Sequence, residues 1–109
     1  MEPKAIVVLV TVPSQETGQE IARALVKQKL AACVNLLTPI QSIYTWEGKV
    51  QEEEEALLII KSRAELFEEK LMPAIRAMHP YEVPEIIALP VLAGLPDYLN
   101  WVDESTQGR

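Results

Sequence analysis

The sequence predicts an α+β domain: a four-stranded antiparallel sheet with two helices packed on one face, in the order βαββαβ. Three observations predict it. Continuous apolar runs at Lys4–Val12 and Ala56–Ile60 read as strands, the first rich enough in β-branched residues to be covered on both faces. Stretches after Ser14 and after Ser62 repeat apolar residues at helical spacing. The long segment Ala31–Lys61 reads as strand, turn, strand, and the whole order is that of the ferredoxin-like sandwich.

Pro13 ends the first strand, and Ser14 is a suitable N-cap for the first helix. Ile21, Ala22, Leu25 and Val26 form its apolar stripe, with Glu16 and Glu20 near its start and Lys27 and Lys29 at its end, matching the helix dipole. Cys33–Trp46 has strand composition broken at Thr38-Pro39, which predicts an edge strand or a bulge because proline lacks a ladder donor. Glu47-Gly48-Lys49 supplies the turn. Ser62-Arg63-Ala64-Glu65 has the form of a capping box, and Phe67, Leu71, Ala74, Ile75 and Met78 share an arc of about 100° on the helix that follows. Pro73 should kink that helix, and Pro80 should end it. A fourth strand is expected at Glu85–Leu92 and a short terminal helix at Pro96–Glu104. The 109 residues thus make one domain, with a core from about 4 to 104 and a loose tail at 105–109.

The central hairpin, the second and third strands from about Cys33 to Lys61 (β2-β3), exceeds an average pair of strands, and a bare edge of that length invites pairing. Tyr44 and Trp46 share one of its faces by alternation. Such an arm either folds over its own domain or adds to a neighbour's sheet; the second is the favoured expectation, so an oligomer is predicted.

Composition narrows function. Hydrophobic residues are 49% and charged residues 24%, with a net charge of −6. An acidic chain without a basic face is a poor partner for nucleic acid or an anionic membrane. One cysteine excludes an internal disulfide framework, and the apolar run at Ala5–Val12 is too short to span a bilayer. Cytoplasm is the expected compartment.

Few constellations carry chemistry. Phosphate-cradling glycine motifs and C-x-x-C or H-x-x-x-H pairs are missing, and no complete catalytic set exists, so an enzyme is not expected. Cys33 reads as a small core residue. Glu52–Glu55 reads as a solvated strand start whose alternating carboxylates cannot all converge. His79, the single histidine, is open to three readings: a structural or interface residue, a metal ligand completed from another subunit, or a general base.

Five motifs, in order, carry a likeness: Leu30-Ala31-Ala32-Cys33-Val34-Asn35; Ile43-Tyr44-x-Trp46-x-Gly48; Lys61; His79-Pro80-Tyr81-x-Val83-Pro84-Glu85; and Tyr98-Leu99-x-Trp101. From about Val7 to Val102 the chain closely resembles the CutA divalent-cation tolerance family. That resemblance implies a ferredoxin-like subunit in a tight homotrimer, an association with copper and other divalent ions, and no established reaction. The family's metal ligands would fall at Val10, Met78 and His79; His79 alone keeps a strong donor, and Met78 offers a thioether on the expected core stripe. The leading expectation is a trimeric tolerance protein that binds copper or another divalent cation weakly, with His79 as the metal residue. The alternative is a small-molecule sensor resembling the nitrogen-regulatory PII proteins, with Tyr44, Trp46, Lys61, His79 and Glu85 lining a cleft between subunits and Lys61 favouring a small anion or metabolite.

Overall fold

The computed structural model describes residues 4–108. Four antiparallel strands form one sheet in the order β2-β3-β1-β4, with β1 at Ala5–Val12, β2 at Cys33–Trp46, β3 at Lys49–Arg63 and β4 at Ile86–Pro90. Burial along β1 alternates: Ile6, Val8, Val10 and Val12 are buried, whereas Val7, Leu9 and Thr11 are half-buried. The expected cover on both faces is therefore corrected, because helices pack fully against one face only. That face joins Leu58 and Ile60 of β3 to Ile21 and Leu25 of α1 (Gln15–Lys27) and to Leu71 and Ile75 of the second helical rod.

Ser14 caps α1 as expected, its Oγ accepting from the Thr17 N–H at 3.2 Å. Gly18 lets α1 approach the sheet closely, since a Cβ there would stand 2.6 Å from Leu36 Cδ1. Val26 is exposed, not part of the stripe, because it lies about 100° round the helix from Leu25.

The second rod departs from expectation at its start. Ser62 belongs to β3, is fully buried, and donates its hydroxyl to the Leu30 carbonyl at 2.6 Å, so it forms no capping box. Arg63 occupies the N-cap position of α2 (Ala64–Leu66) without a side-chain cap. A π-helical turn at Phe67–Leu71 then leads into α3 (Met72–Met78), with the Met72 N–H reaching back to the Phe67 carbonyl. The wider turn accommodates Pro73, which has no N–H to give and whose ring crowds the preceding turn.

Between Leu37 and Ile40 the β2-β3 register shifts, the bulge anticipated at Thr38-Pro39, and β2 is an edge strand. Glu47 (φ 52°) and Gly48 (φ 78°) close the hairpin in a two-residue turn with both central residues left-handed, matching the strand twist. The arm stretches the molecule to 44 × 26 × 24 Å.

Helix α4 (Pro96–Ser105) crosses the other face of the sheet, burying Val102. Cys33 points there, half-buried beside Tyr98, and is not the core residue expected; strand alternation places it opposite Val34. The end of the chain is also tied down further than predicted. Thr106 is buried, and Arg63 donates from Nε to its Oγ1 (2.7 Å) and from Nη2 to its carbonyl (3.0 Å). The expected loose tail is thus corrected at Ser105–Gln107, while Arg109 lies outside the described residues.

Candidate functional site

The corner after α3 is shaped by proline. His79 takes an extended conformation (φ −83°, ψ 133°), as a residue before proline prefers, and the helix stops at Met78. The ring turns inward, leaving the residue 8% exposed. Its Nε2 lies 2.7 Å from the Thr11 carbonyl, and its Nδ1 lies 3.2 Å from the Tyr81 backbone nitrogen. A carbonyl can only accept and an N–H can only donate, so these partners select the uncharged Nε2–H tautomer. His79 therefore stitches the end of β1 to the corner. Both nitrogens are engaged by backbone, and none is left for a metal. Ligation of a metal by His79 would require it to give up one of these two bonds.

Tyr81, positioned by that bond, packs its ring at 4.7 Å from the His79 ring centroid and donates its hydroxyl to Glu55 Oε2 at 2.5 Å. Further along the arm, Tyr44 donates its hydroxyl to Glu53 Oε1. Between arm and corner lies a cleft of about 570 Å³. The arm contributes Ser42, Tyr44, Trp46, Glu53 and Glu55; the corner contributes Tyr81, Glu82, Val83 and Glu85.

The electrostatics are one-sided. Burial, then the bond to Glu55 and the charges of Glu55 and Glu53, push the Tyr81 phenol far above its ordinary value. The Tyr44 phenol is raised chiefly by its bond to Glu53. No lysine or arginine lines the cleft among the described residues. Nor do three or more His, Cys, Asp or Glu side chains converge there closely enough to hold a metal ion.

Tyr44, Trp46 and Glu85 line this cleft within one chain, whereas the expected cleft lay between subunits; His79 stands behind Tyr81. Lys61 does not join them. It sits opposite Cys33 and Val7, hydrogen-bonded to Asn35, six residues along β3 from Glu55, or roughly 20 Å at strand rise. Lys61 thus lies outside the cleft of the single chain.

Sequence reasoning missed Glu53, Glu55 and Tyr81. Alternation does separate Glu52 and Glu54 from the other two, but Glu55 is only 7% exposed, so the solvated reading is corrected for it. The available signal was register: a bulge at Leu37/Ile40 sets Ser42 opposite Glu53 and Ile40 opposite Glu55. The contact with Tyr81 is between residues far apart in sequence and had no local signal.

Comparison with known proteins agrees with the fold. Residues 6–105 match the family model described as CutA1 divalent ion tolerance protein. The chloroplastic protein CutA of Arabidopsis thaliana is 52% identical over 103 residues, covering 94% of this chain and 56% of that protein. The chain therefore spans about half the length of that relative. The divalent-cation tolerance protein CutA of Thermus thermophilus is 50% identical over 100 residues, covering 92% of this chain and 96% of that one. A solved structure of the divalent cation tolerance protein from Thermus thermophilus superposes with a TM-score of 0.91 at 48% identity, covering 94% of this chain and 99% of that chain.

Proposed function

The chain belongs to the CutA1 divalent ion tolerance family, and from that premise we propose that it acts as a homotrimer that binds divalent cations weakly. The observation that carries weak rather than tight binding is the sealed imidazole of His79. Carboxylate oxygens of the cleft remain as donors, and hard oxygen donors without a preformed cage hold divalent ions loosely. Copper, which favours imidazole and sulfur, has no such donor set here. The proposal assigns binding to the cleft, and no reaction.

Support for assembly comes from the sheet face that α4 leaves open. Leu37 on the β2 edge and Ile87 and Leu89 on the β4 edge are about half exposed on that face, and Trp101 of α4 is exposed too. Several large apolar side chains exposed on one sheet face favour burial against a partner. The unpaired edges of β2 and β4 offer backbone groups to a neighbour. A cytoplasmic setting is part of the proposal, in keeping with a free thiol at Cys33; fractionation of tagged protein tests it.

Calorimetric titration of Cu(II) and Zn(II) into wild type and His79→Ala tests the metal reading. Weak binding unaffected by the substitution is expected. Tight copper binding that disappears with His79 would overturn it.

A second reading is favoured by the cleft itself: its size suits a small molecule, and its aromatic and polar walls converge. Thermal-shift screening tests this, because a ligand bound only by the folded form raises apparent stability.

A further inference from the structure

All the charged groups lining the cleft are carboxylates, and its two phenols direct their hydrogens to carboxylates: Tyr44 to Glu53, Tyr81 to Glu55. Those phenolic oxygens are left with lone pairs only. Glu55 is the telling residue. It is more than nine-tenths buried, yet only Oε2 has a protein donor. Oε1 has no partner among the described residues and is not sealed from the cleft it lines. Oε1 is therefore an accessible carboxylate acceptor facing the cleft, and a donor from a ligand can take the place of solvent there.

The donor's chemistry follows from the walls. An anion meets carboxylates and no base. A bare divalent ion finds no preformed group of oxygens among the described residues and is held only loosely. An organic cation differs on both counts: its N–H groups satisfy scattered acceptors, and its charge and stem are favoured by aromatic faces. Tyr44 and Trp46 supply those faces from the arm.

We propose that the cleft binds an organic cation with a primary ammonium or guanidinium head on an apolar stem, with Glu55 Oε1 accepting from the head and Trp46 covering the stem. This rests on the small-molecule reading above and names its ligand class.

Calorimetric titration of the assembled protein with 1,4-diaminobutane and agmatine tests it, with tetramethylammonium and butanedioate as controls. The diamine and agmatine should bind, and Glu55→Gln should weaken both by about tenfold, the scale of one charge-assisted bond. Trp46→Ala should weaken them too, while Glu52→Gln, on the other face of the arm, should not. Should Glu55→Gln fail to fold, Trp46→Ala and Glu85→Gln carry the test, since both residues are exposed. Tetramethylammonium binding as tightly as the diamine would overturn recognition through N–H groups. Butanedioate binding in place of the amines would overturn the cation class and leave the small-molecule reading standing. Silence from all four probes would overturn the organic-cation proposal, while the thermal-shift screen decides the small-molecule reading on its own.

Discussion

The hydroxyl of Tyr81 reaches Glu55 across the space between the helix-to-strand corner and the hairpin arm, at 2.5 Å. Tyr81 is itself held by His79, through the bond from its backbone N–H to Nδ1. One chain of contacts therefore runs from the Thr11 carbonyl through His79 and Tyr81 to Glu55, and it fixes both walls of the cleft relative to the core. The histidine acts on the cleft as a positioning residue.

Tyr81→Phe removes the donor and leaves Glu55 buried with one partner fewer. A loss of about 1–2 kcal/mol is expected, at the lower end of the cost of an unmet buried acceptor because Tyr81 is partly exposed. Urea unfolding measures it.

High pH should destabilise the protein. The Tyr81 phenol is raised in the folded state, chiefly by burial and then by Glu55, and Tyr44 and Tyr98 shift the same way. Above the unfolded phenol value of about 10, the unfolded chain loses protons that the fold retains, so unfolding is favoured as pH rises. Below that value the contribution is fully present. Chemical unfolding at a series of pH values should show stability falling above about pH 10, less steeply in Tyr81→Phe.

His79→Ala should cost about 1–3 kcal/mol by leaving the Thr11 carbonyl and the Tyr81 N–H without their partner. Amide exchange should quicken first at Tyr81–Glu85. Unchanged exchange in that segment would contradict the positioning role.

Arg63→Gln should release the chain end, since its guanidinium makes two bonds to Thr106 and lies 3.8 Å from Asp103. Faster proteolysis after Asp103 is the expected readout, with a global loss of about 1–2 kcal/mol. A protease-resistant end in the variant would refute that anchor.

Leu89→Glu places a charge on the open apolar face without disturbing the buried core. Sedimentation should shift from trimer towards monomer. A monomeric wild type would overturn the assembly proposal directly.

Much of this protein is legible from local pattern. The identity of the elements along the chain, the Ser14 cap, the bulge at Thr38-Pro39 and the helix stop at Pro80 each depend on neighbours a few residues away, where alternation and proline geometry act. Errors arose where a distant partner decided the outcome. Ser62 looked like a cap, but the Leu30 carbonyl, brought close by the β2-β3 pairing, claimed its hydroxyl. Thr106 looked loose until Arg63 was placed beneath it.

The candidate site divides the same way. Amino-acid order alone determined that HPYEVP would be a rigid corner and that Tyr44 and Trp46 would share a face of the arm. Only tertiary structure decided that His79 spends both nitrogens on backbone, that Glu55 is buried against Tyr81, and that Lys61 stands elsewhere. The physical reason is range: proline geometry and side-chain alternation act between neighbours, whereas hydrogen-bond partnership is settled by which groups the folded sheet brings within 3 Å.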